Sequence, residues 1–160
     1  MKVMERSSQG QKIIDRFTKD CGYEFLSNFH PSTVRFDGVL YPTVEHAYQA
    51  SKSLDPKVRD LIRRAKSPAD AKKLGQGISL RPDWEEKKLQ IMEGLIREKF
   101  ENPFLRPLLL STENSLLILN NKWNDRFWGV CRGIGENWLG KILMAERERI
   151  RCEENYERSP

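Results

Sequence analysis

The chain has 160 residues, a length that suits one domain with one hydrophobic core and leaves little room for a separate cofactor domain. It carries 28 Lys and Arg against 23 Asp and Glu, and the net charge of +5 mildly favours anionic ligands such as nucleotides, phosphosugars or nucleic acid. Because no long Lys/Arg block occurs, a solvated basic surface is an equally good interpretation. No apolar run is long enough to cross a membrane, so we expect no membrane partner.

The cysteines indicate a reducing environment. Cys21, Cys131 and Cys152 lie far apart, form no Cys-x-x-Cys pair and follow no secretory leader, which predicts a cytoplasmic location. Only His30 and His46 could join them as soft metal ligands, and no zinc spacing results. We therefore expect no metal site.

Both ends of the chain are polar or charged. This predicts a flexible N-terminus over residues 1–12, a folded domain over residues 13–152 and a flexible C-terminal tail over residues 153–160. The first clear element in the domain is a β-hairpin, with strands over residues 33–36 and 39–41. Asp37-Gly38 lies between them, and this pair tolerates the positive φ angles of a type I′ turn.

The remainder of the domain carries helix signals. Thr43 can cap a helix that runs to Leu54. Three later pairs place a cap residue before a proline at the first helical position: Asp55-Pro56, Ser67-Pro68 and Asn102-Pro103. Apolar stripes predict longer helices over about 82–101 and 136–151, and a buried strand at 116–119. The fold class indicated is α+β, a single helix-rich domain with a small β-hairpin or sheet.

Three polar side chains share one face of the helix that Thr43 caps. Glu45, Gln49 and Lys52 are spaced i, i+4 and i+7. The capping-box position is His46, so Glu45 is not explained as a cap partner. In the first turn Glu45 lies at the positive end of the helix dipole, which favours an ionised carboxylate suited to act as a base or to stabilise a positive charge. An exposed Glu/Lys face is the alternative. Four apolar neighbours are expected to face the core: Val44, Ala47, Tyr48 and Leu54.

A second candidate carboxylate, Asp125, lies in a predicted loop between Trp123 and the run Phe127-Trp128-Gly129. Dense aromatic residues can form a low-dielectric pocket that raises the pKa of a carboxyl group and makes it a proton donor. A pure turn role is the alternative, because Asn-Asp pairs commonly bond nearby backbone. Two carboxylates in unlike environments are what hydrolysis of a glycosyl bond through an oxocarbenium-like transition state requires.

Aromatic and amide side chains could complete a site for a flat base and a sugar. Trp84 begins a helix in register with Ile91 and Leu95, so it either packs in the core or presents its ring for base stacking. Phe29 raises the same choice in a loop. Asn28 adds an amide that can hydrogen-bond a ribose hydroxyl or a base edge.

The glycine-rich segment from Gly129 to Gly140 leads into the last predicted helix. No tight strand-turn-helix unit precedes it, so it is a poor dinucleotide-binding fingerprint. Its backbone N–H groups and Arg132 could still hold a phosphate at the helix N-terminus, and an ordinary flexible connection is equally compatible.

The motifs, taken in order, resemble the YbiA-like family, also called the NADAR (NAD- and ADP-ribose-associated) family. The similarity extends from about Tyr23 to Arg147, and several separate blocks in one order are more specific than any single motif. The blocks are Ser27-Asn28-Phe29, Pro42-x-x-Glu45-His46-x-x-Gln49-x-x-Lys52, Trp84, Asp125-x-x-Trp128-Gly129 and Asn137-x-Leu139-Gly140-x-x-Leu143-Met144-x-x-Arg147.

The resemblance implies an N-glycosidase that hydrolyses a C–N bond to ribose, with no metal or redox cofactor. Family members act on ribosylaminopyrimidine phosphates of early riboflavin synthesis, and others remove ADP-ribose from modified guanine. It makes Glu45 and Asp125 the acid/base candidates and Trp84 and Trp128 the ring-stacking walls. The polar contacts to ribose or phosphate would come from Asn28, Gln49 and Lys52, and Phe29 and Gly129 complete the expected substrate-binding set.

The sequence departs from the family pattern at one position, because a Glu often found five residues before the motif aspartate is here Asn120. If that Glu positions the water or the substrate, substrate choice or rate would differ in this protein. Two alternative functions stay open. The basic charge would suit removal of ADP-ribose from guanine in nucleic acid, which makes ADP-ribosylated nucleic acid a possible partner. The domain could also bind ADP-ribose or NAD without cleaving it.

Overall fold

The computed structural model describes residues 10–158 of the chain. Within this range it contains six α-helices and three two-stranded sheets, which confirms the predicted helix-rich α+β class. The strands are β1 (Ile13–Ile14), β2 (Val34–Phe36), β3 (Val39–Tyr41), β4 (Leu116–Leu117), β5 (Asn120–Asn121) and β6 (Val130–Cys131). The helices are α1 (Val44–Ser51), α2 (Pro56–Arg63), α3 (Pro68–Gln76), α4 (Trp84–Phe100), α5 (Arg106–Leu110) and α6 (Trp138–Glu157).

The chain divides into two compact units. The central unit is Asn28–Asn102, and the terminal unit combines Met1–Ser27 with Pro103–Pro160. The predicted single-domain boundary over residues 13–152 stays a prediction. Residues 1–9 of the predicted flexible N-terminus, and residues 159–160 of the predicted tail, lie outside the described part of the chain.

The central unit is built around α1. This helix contacts β2, β3, α2, α3 and α4, and all eight of its residues are buried. The hairpin of β2 and β3 pairs Phe36 with Val39 across the predicted turn, in which Asp37 and Gly38 have φ angles of 46° and 78°. Two of the three predicted proline-led helices begin as expected, because Asp55 accepts from the Lys57 N–H and Ser67 accepts from the Asp70 N–H.

The terminal unit packs α6 against β4 and α5. Strand β1 pairs in parallel with β4, and β5 pairs in parallel with β6. The predicted apolar stripe of α6 is buried: Leu139, Ile142, Leu143 and Ile150. The predicted strand at 116–119 is shorter than expected, because β4 covers only Leu116–Leu117.

Several element boundaries differ from the predictions. The first helix ends at Ser51 instead of Leu54, because i to i−3 bonds close its last turn, and Leu54 is 59% exposed and not in the core. Asn102 does not begin a helix: its N–H bonds to the Lys99 carbonyl and completes the end of α4. The helix after it starts at Arg106, with Pro107 in its first turn.

The last helix also runs further than predicted, to Glu157 instead of Arg151. Glu153, which was assigned to the flexible tail, accepts hydrogen bonds from Arg106 and Arg149. These contacts continue the helix through residues 153–157, because they join its last turns to α5 and to the preceding turn of α6.

A fully buried lysine in α4 gives a testable prediction about stability. Burial lowers the pKa of the Lys99 ammonium from 10.5 to about 7, and its Nζ lies 5.5 Å from the Phe100 ring centroid. Between these pH values the unfolded chain binds the proton that the native chain has lost, so the contribution of Lys99 to the free energy of unfolding rises with pH. Lys99→Met should therefore raise that free energy most below pH 7, on the order of 1 to 4 kcal/mol, the effect of replacing buried charges with apolar groups of similar volume.

Denaturant unfolding of both proteins at a series of pH values would measure this difference, which should narrow as the pH rises from about 7 to about 10. Lys87→Met, which removes an exposed lysine of the same helix, is the matched control. A stability difference for Lys99→Met that stays constant over this range would contradict the prediction.

Candidate active site

The cap at the N-terminus of α1 does not involve the Glu45 side chain. Thr43 is extended, and its Oγ1 accepts the N–H of His46 at 3.2 Å and lies 2.8 Å from the His46 Nδ1. The His46 Nε2 lies 3.2 Å from the Ala65 carbonyl oxygen, so Nε2–H donates to this oxygen and Nδ1 accepts from the Thr43 hydroxyl. The cap partner is thus His46, as the spacing predicts.

The first two members of the predicted polar wall are in direct contact. Gln49 Nε2 donates to Glu45 Oε1 at 2.7 Å, and the Glu45 N–H donates to the Asn28 carbonyl at 3.1 Å. Glu45 is 7% exposed and Gln49 is 3% exposed. The alternative of an exposed Glu/Lys face is therefore wrong, because the surrounding elements of the central unit bury the whole of α1.

The third member, Lys52, follows α1 and lies against two aromatic rings. Its Nζ is 5.5 Å from the centroid of the Tyr48 ring and 6.0 Å from that of Trp84. These rings contact each other at 5.3 Å with planes inclined by 51°. Burial lowers the pKa of the Lys52 ammonium, and the nearby charge of Glu45 opposes this effect. The structure thus places a cation close enough to the buried carboxylate for the two to interact electrostatically.

Asn28 and Phe29 enter the central unit from the loop before the hairpin. The Asn28 Nδ2 lies 3.6 Å from the Met92 sulfur, and its Oδ1 is buried without a hydrogen-bond partner among the described residues. An acceptor in this state suits a ligand hydroxyl or N–H group. Phe29 is 39% exposed, whereas Trp84 is 5% exposed and packs on Tyr48, as its core interpretation predicts.

The side chain of Asp125, in the terminal unit, stabilises the loop in which it lies. Its Oδ1 accepts the N–H groups of Phe127 and Trp128 at 3.2 Å and 2.9 Å, and Asn121 clamps its backbone from both sides. This is the geometry of the predicted turn role. The Phe127 and Trp128 rings meet edge to face at 4.9 Å, whereas Trp123, the third aromatic residue of the expected pocket, is 59% exposed. The role of Asp125 as an acid stays a prediction.

The glycine-rich segment is closely packed in the terminal unit. A Cβ on Gly129 would lie 2.2 Å from the Leu119 carbonyl oxygen, which explains why this position lacks a side chain. Most of the backbone N–H groups that could have held a phosphate instead donate hydrogen bonds to carbonyl groups of the same unit. These donors belong to Val130, Cys131, Ile134, Glu136, Asn137, Trp138 and Leu139. Because these N–H groups already have acceptors, they cannot serve as the main donors to a phosphate at this segment.

The predicted site residues thus fall into two groups. The central unit brings together Asn28, Glu45, Gln49, Lys52 and Trp84, with Phe29 at its surface. The terminal unit holds Asp125, Trp128 and Gly129. Within residues 10–158 no three His, Cys, Asp or Glu side chains gather in a way that could hold a metal ion, and no helix is long and apolar enough to span a membrane.

Two residues of the central unit were missed by the sequence analysis. Tyr48 lies in the core, as predicted, but its ring also contacts Trp84 and lies 5.5 Å from the Lys52 Nζ, which the sequence analysis did not foresee. The i, i+4 spacing of Tyr48 and Lys52 was a signal that could have found it. Gly75 contacts the side chain of Gln49 from α3, and no local pattern marks that approach.

Known proteins share this architecture and sequence. Residues 16–151 match the family described as NADAR domain. The N-glycosidase YbiA of Escherichia coli strain K12 is 41% identical over 145 residues, which cover 88% of this chain and 90% of that protein. The NMR structure of E. coli YbiA superposes with a TM-score of 0.80 at 38% identity, over 95% of this chain and 92% of that one.

A further relative has a longer chain. The riboflavin biosynthesis protein VVA0006 of Vibrio vulnificus strain YJ016 is 33% identical over 150 residues, which cover 91% of this chain and 40% of that protein. The family match and the E. coli relative each extend over most of the present sequence. The chain belongs to the NADAR domain family.

Proposed function

We propose that the chain is an N-glycosidase that hydrolyses the C–N bond between ribose and a base-like amine, acting on ribosylaminopyrimidine phosphates of the riboflavin pathway. The observation that carries this proposal is the buried Glu45 carboxylate, which Gln49 holds near the Lys52 ammonium. The names of the E. coli N-glycosidase and of the Vibrio riboflavin biosynthesis protein support the reaction class and the substrate class.

The reaction needs a negative charge beside the sugar. As the C1′–N bond breaks, its electron pair leaves with the amine and C1′ gains oxocarbenium character. Water then supplies the hydroxyl group to C1′, and the amine takes up a proton. Glu45 stabilises the sugar cation or removes a proton from the attacking water. A buried carboxylate is effective in this role because little water screens its charge.

Lys52 is suited to bind the phosphate of such a substrate. Its ammonium is partly removed from water, and a bound phosphate would supply an opposite charge that stabilises the protonated lysine. The Tyr48 and Trp84 rings confine the lysine side chain through cation–π contacts, so less freedom is lost when the ligand binds. The buried Asn28 Oδ1 can accept from a ribose hydroxyl.

The first prediction concerns Glu45. Glu45→Gln keeps the side-chain volume and removes the negative charge, so release of ribose 5-phosphate from a ribosylaminopyrimidine phosphate should fall by about 100-fold or more, the scale of one acid–base group. Glu85→Gln is the matched control, because Glu85 is an exposed glutamate in the first turn of α4. Equal release by wild type and Glu45→Gln would remove Glu45 from the mechanism.

The substrate class is tested with the same wild-type protein. We expect the protein to cleave the ribosylaminopyrimidine phosphate and to leave ADP-ribosylated DNA intact. Release of ADP-ribose from the modified guanine, with the pyrimidine left intact, would instead assign the chain to the nucleic-acid reaction. Tight calorimetric binding of ADP-ribose, with no product from either substrate after long incubation, would overturn the enzymatic proposal in favour of a binding module.

A second prediction concerns Lys52. Lys52→Met should raise KM for the phosphorylated substrate by about tenfold or more, the scale of a hydrogen bond to a charged group, and should leave KM for the dephosphorylated riboside nearly unchanged. For the wild-type protein, the affinity for the phosphorylated substrate should decline as the pH rises through the pKa of Lys52, because the neutral amine no longer attracts the phosphate. Burial lowers this pKa, so the decline should occur at a pH below the ordinary lysine range. Steady-state kinetics on the two substrates measures both effects, with Lys73→Met as an exposed-lysine control. The same rise in KM for both substrates would contradict phosphate recognition.

A further inference from the structure

Gln49 is held between Glu45 and a glycine of the neighbouring helix. Its Nε2 donates to the Glu45 carboxylate at 2.7 Å, and its Oε1 is directed at Gly75 of α3. The residue is 3% exposed, and this Oε1 has no hydrogen-bond partner among the described residues. The amide is therefore fixed by one strong contact and by packing.

The two ends of the amide are not interchangeable in this setting. A carboxylate only accepts hydrogen bonds, so the nitrogen of Gln49 must face Glu45 while that group is ionised. The reverse orientation would place two N–H donors against the CH₂ group of Gly75 and the amide oxygen against the carboxylate oxygen. Both effects disfavour it, because buried donors without acceptors are costly and two acceptors repel each other.

Gly75 provides the space that this arrangement needs. A Cβ at this position would lie 2.0 Å from Gln49 Oε1 and 2.8 Å from both its Cβ and its Cδ, well inside contact distance. Glycine inside a helix costs roughly 0.5–1 kcal/mol relative to alanine. Alanine at position 75 of α3 would therefore favour the helix itself but would displace the Gln49 amide.

The opposite side of α1 is fixed as well. His46 joins the helix N-terminus to the Ala65 carbonyl after α2, and the Asn28 carbonyl holds the Glu45 N–H. The backbone of Glu45 is thus anchored, and the Gln49 amide bonds directly to one oxygen of its carboxylate.

We propose that Gln49 is a positioning residue that orients the Glu45 carboxylate, with Gly75 as the packing surface that holds the amide in place, and that Gln49 acts through Glu45 without touching the substrate. This inference rests on the proposed N-glycosidase activity for its kinetic consequence. Its structural content is independent of that activity. It assigns Gln49 a role different from the substrate contact that the family resemblance implies.

The kinetic test uses Gln49→Met, which keeps a long unbranched side chain and removes the N–H donor. We expect kcat to fall by about tenfold to 100-fold, as for a reacting group displaced by about 1 Å, with KM nearly unchanged. A rise in KM with unchanged kcat would show that Gln49 binds substrate, and would overturn the proposal.

Gly75→Ala should lower kcat in the same way, whereas Gly94→Ala in α4, where an added Cβ meets nothing within 4 Å, should leave kcat unchanged. The cost of Gly75→Ala should shrink in a Gln49→Ala background, because the conflicts with Oε1 and Cδ disappear while the 2.8 Å approach to Cβ remains. Full additivity of the two substitutions would refute the link between Gly75 and Gln49.

A measurement that needs no turnover separates this proposal from the proposed function. The Gln49 side-chain amide protons, observed by NMR, should exchange slowly in wild type and Gly94→Ala and faster in Glu45→Ala and Gly75→Ala. Equal exchange in all four proteins would overturn the positioning role even if wild type is active. Protection that depends on Glu45 and Gly75, in a protein without glycosidase activity, would keep the positioning role and reject the proposed reaction.

Discussion

A carboxylate inside a protein needs a hydrogen-bond donor, and much of the central unit follows from how this need is met for Glu45. The donor comes from Gln49, one helical turn later on the same buried helix. Burial on all sides requires neighbours around α1, and α2, α3, α4 and the hairpin supply them. The amide then needs room, which Gly75 provides. The Glu45–Gln49 contact in α1 thus also constrains α3, the helix that contains Gly75.

The charges of this site are arranged on a single short segment. Glu45 lies in the first turn of α1 and Lys52 immediately after its last turn, so the carboxylate lies at the positive end of the helix and the ammonium at the negative end. Each group also lowers the cost of burying the other. The proposed reaction would use this polarity, because the sugar becomes positive and the phosphate is negative. A short helix can therefore address both ends of a ribosyl phosphate.

Local signals predicted those features that depend on neighbouring residues. The Asp37-Gly38 turn, the cap made by Thr43 and His46, and the spacing of Glu45 from Gln49 follow from backbone geometry and helical period. Features set by contacts between distant segments were missed. The approach of Gly75 to Gln49 is one of them, and the use of Asn102 to finish α4 is another. The contact between Trp84 and Tyr48 was missed for the same reason, because the helical spacing of apolar residues assigns each ring to the core but does not identify the ring it packs against.

The two candidate carboxylates differ in what else they do, and this difference bears on their roles. Asp125 Oδ1 already accepts two backbone N–H groups, so chemistry at this residue falls to Oδ2, and any change there also disturbs Trp128. The Glu45 carboxylate accepts a hydrogen bond from the Gln49 side-chain amide, and its backbone N–H donates to the Asn28 carbonyl. We therefore propose Glu45, rather than Asp125, for the central role in the mechanism.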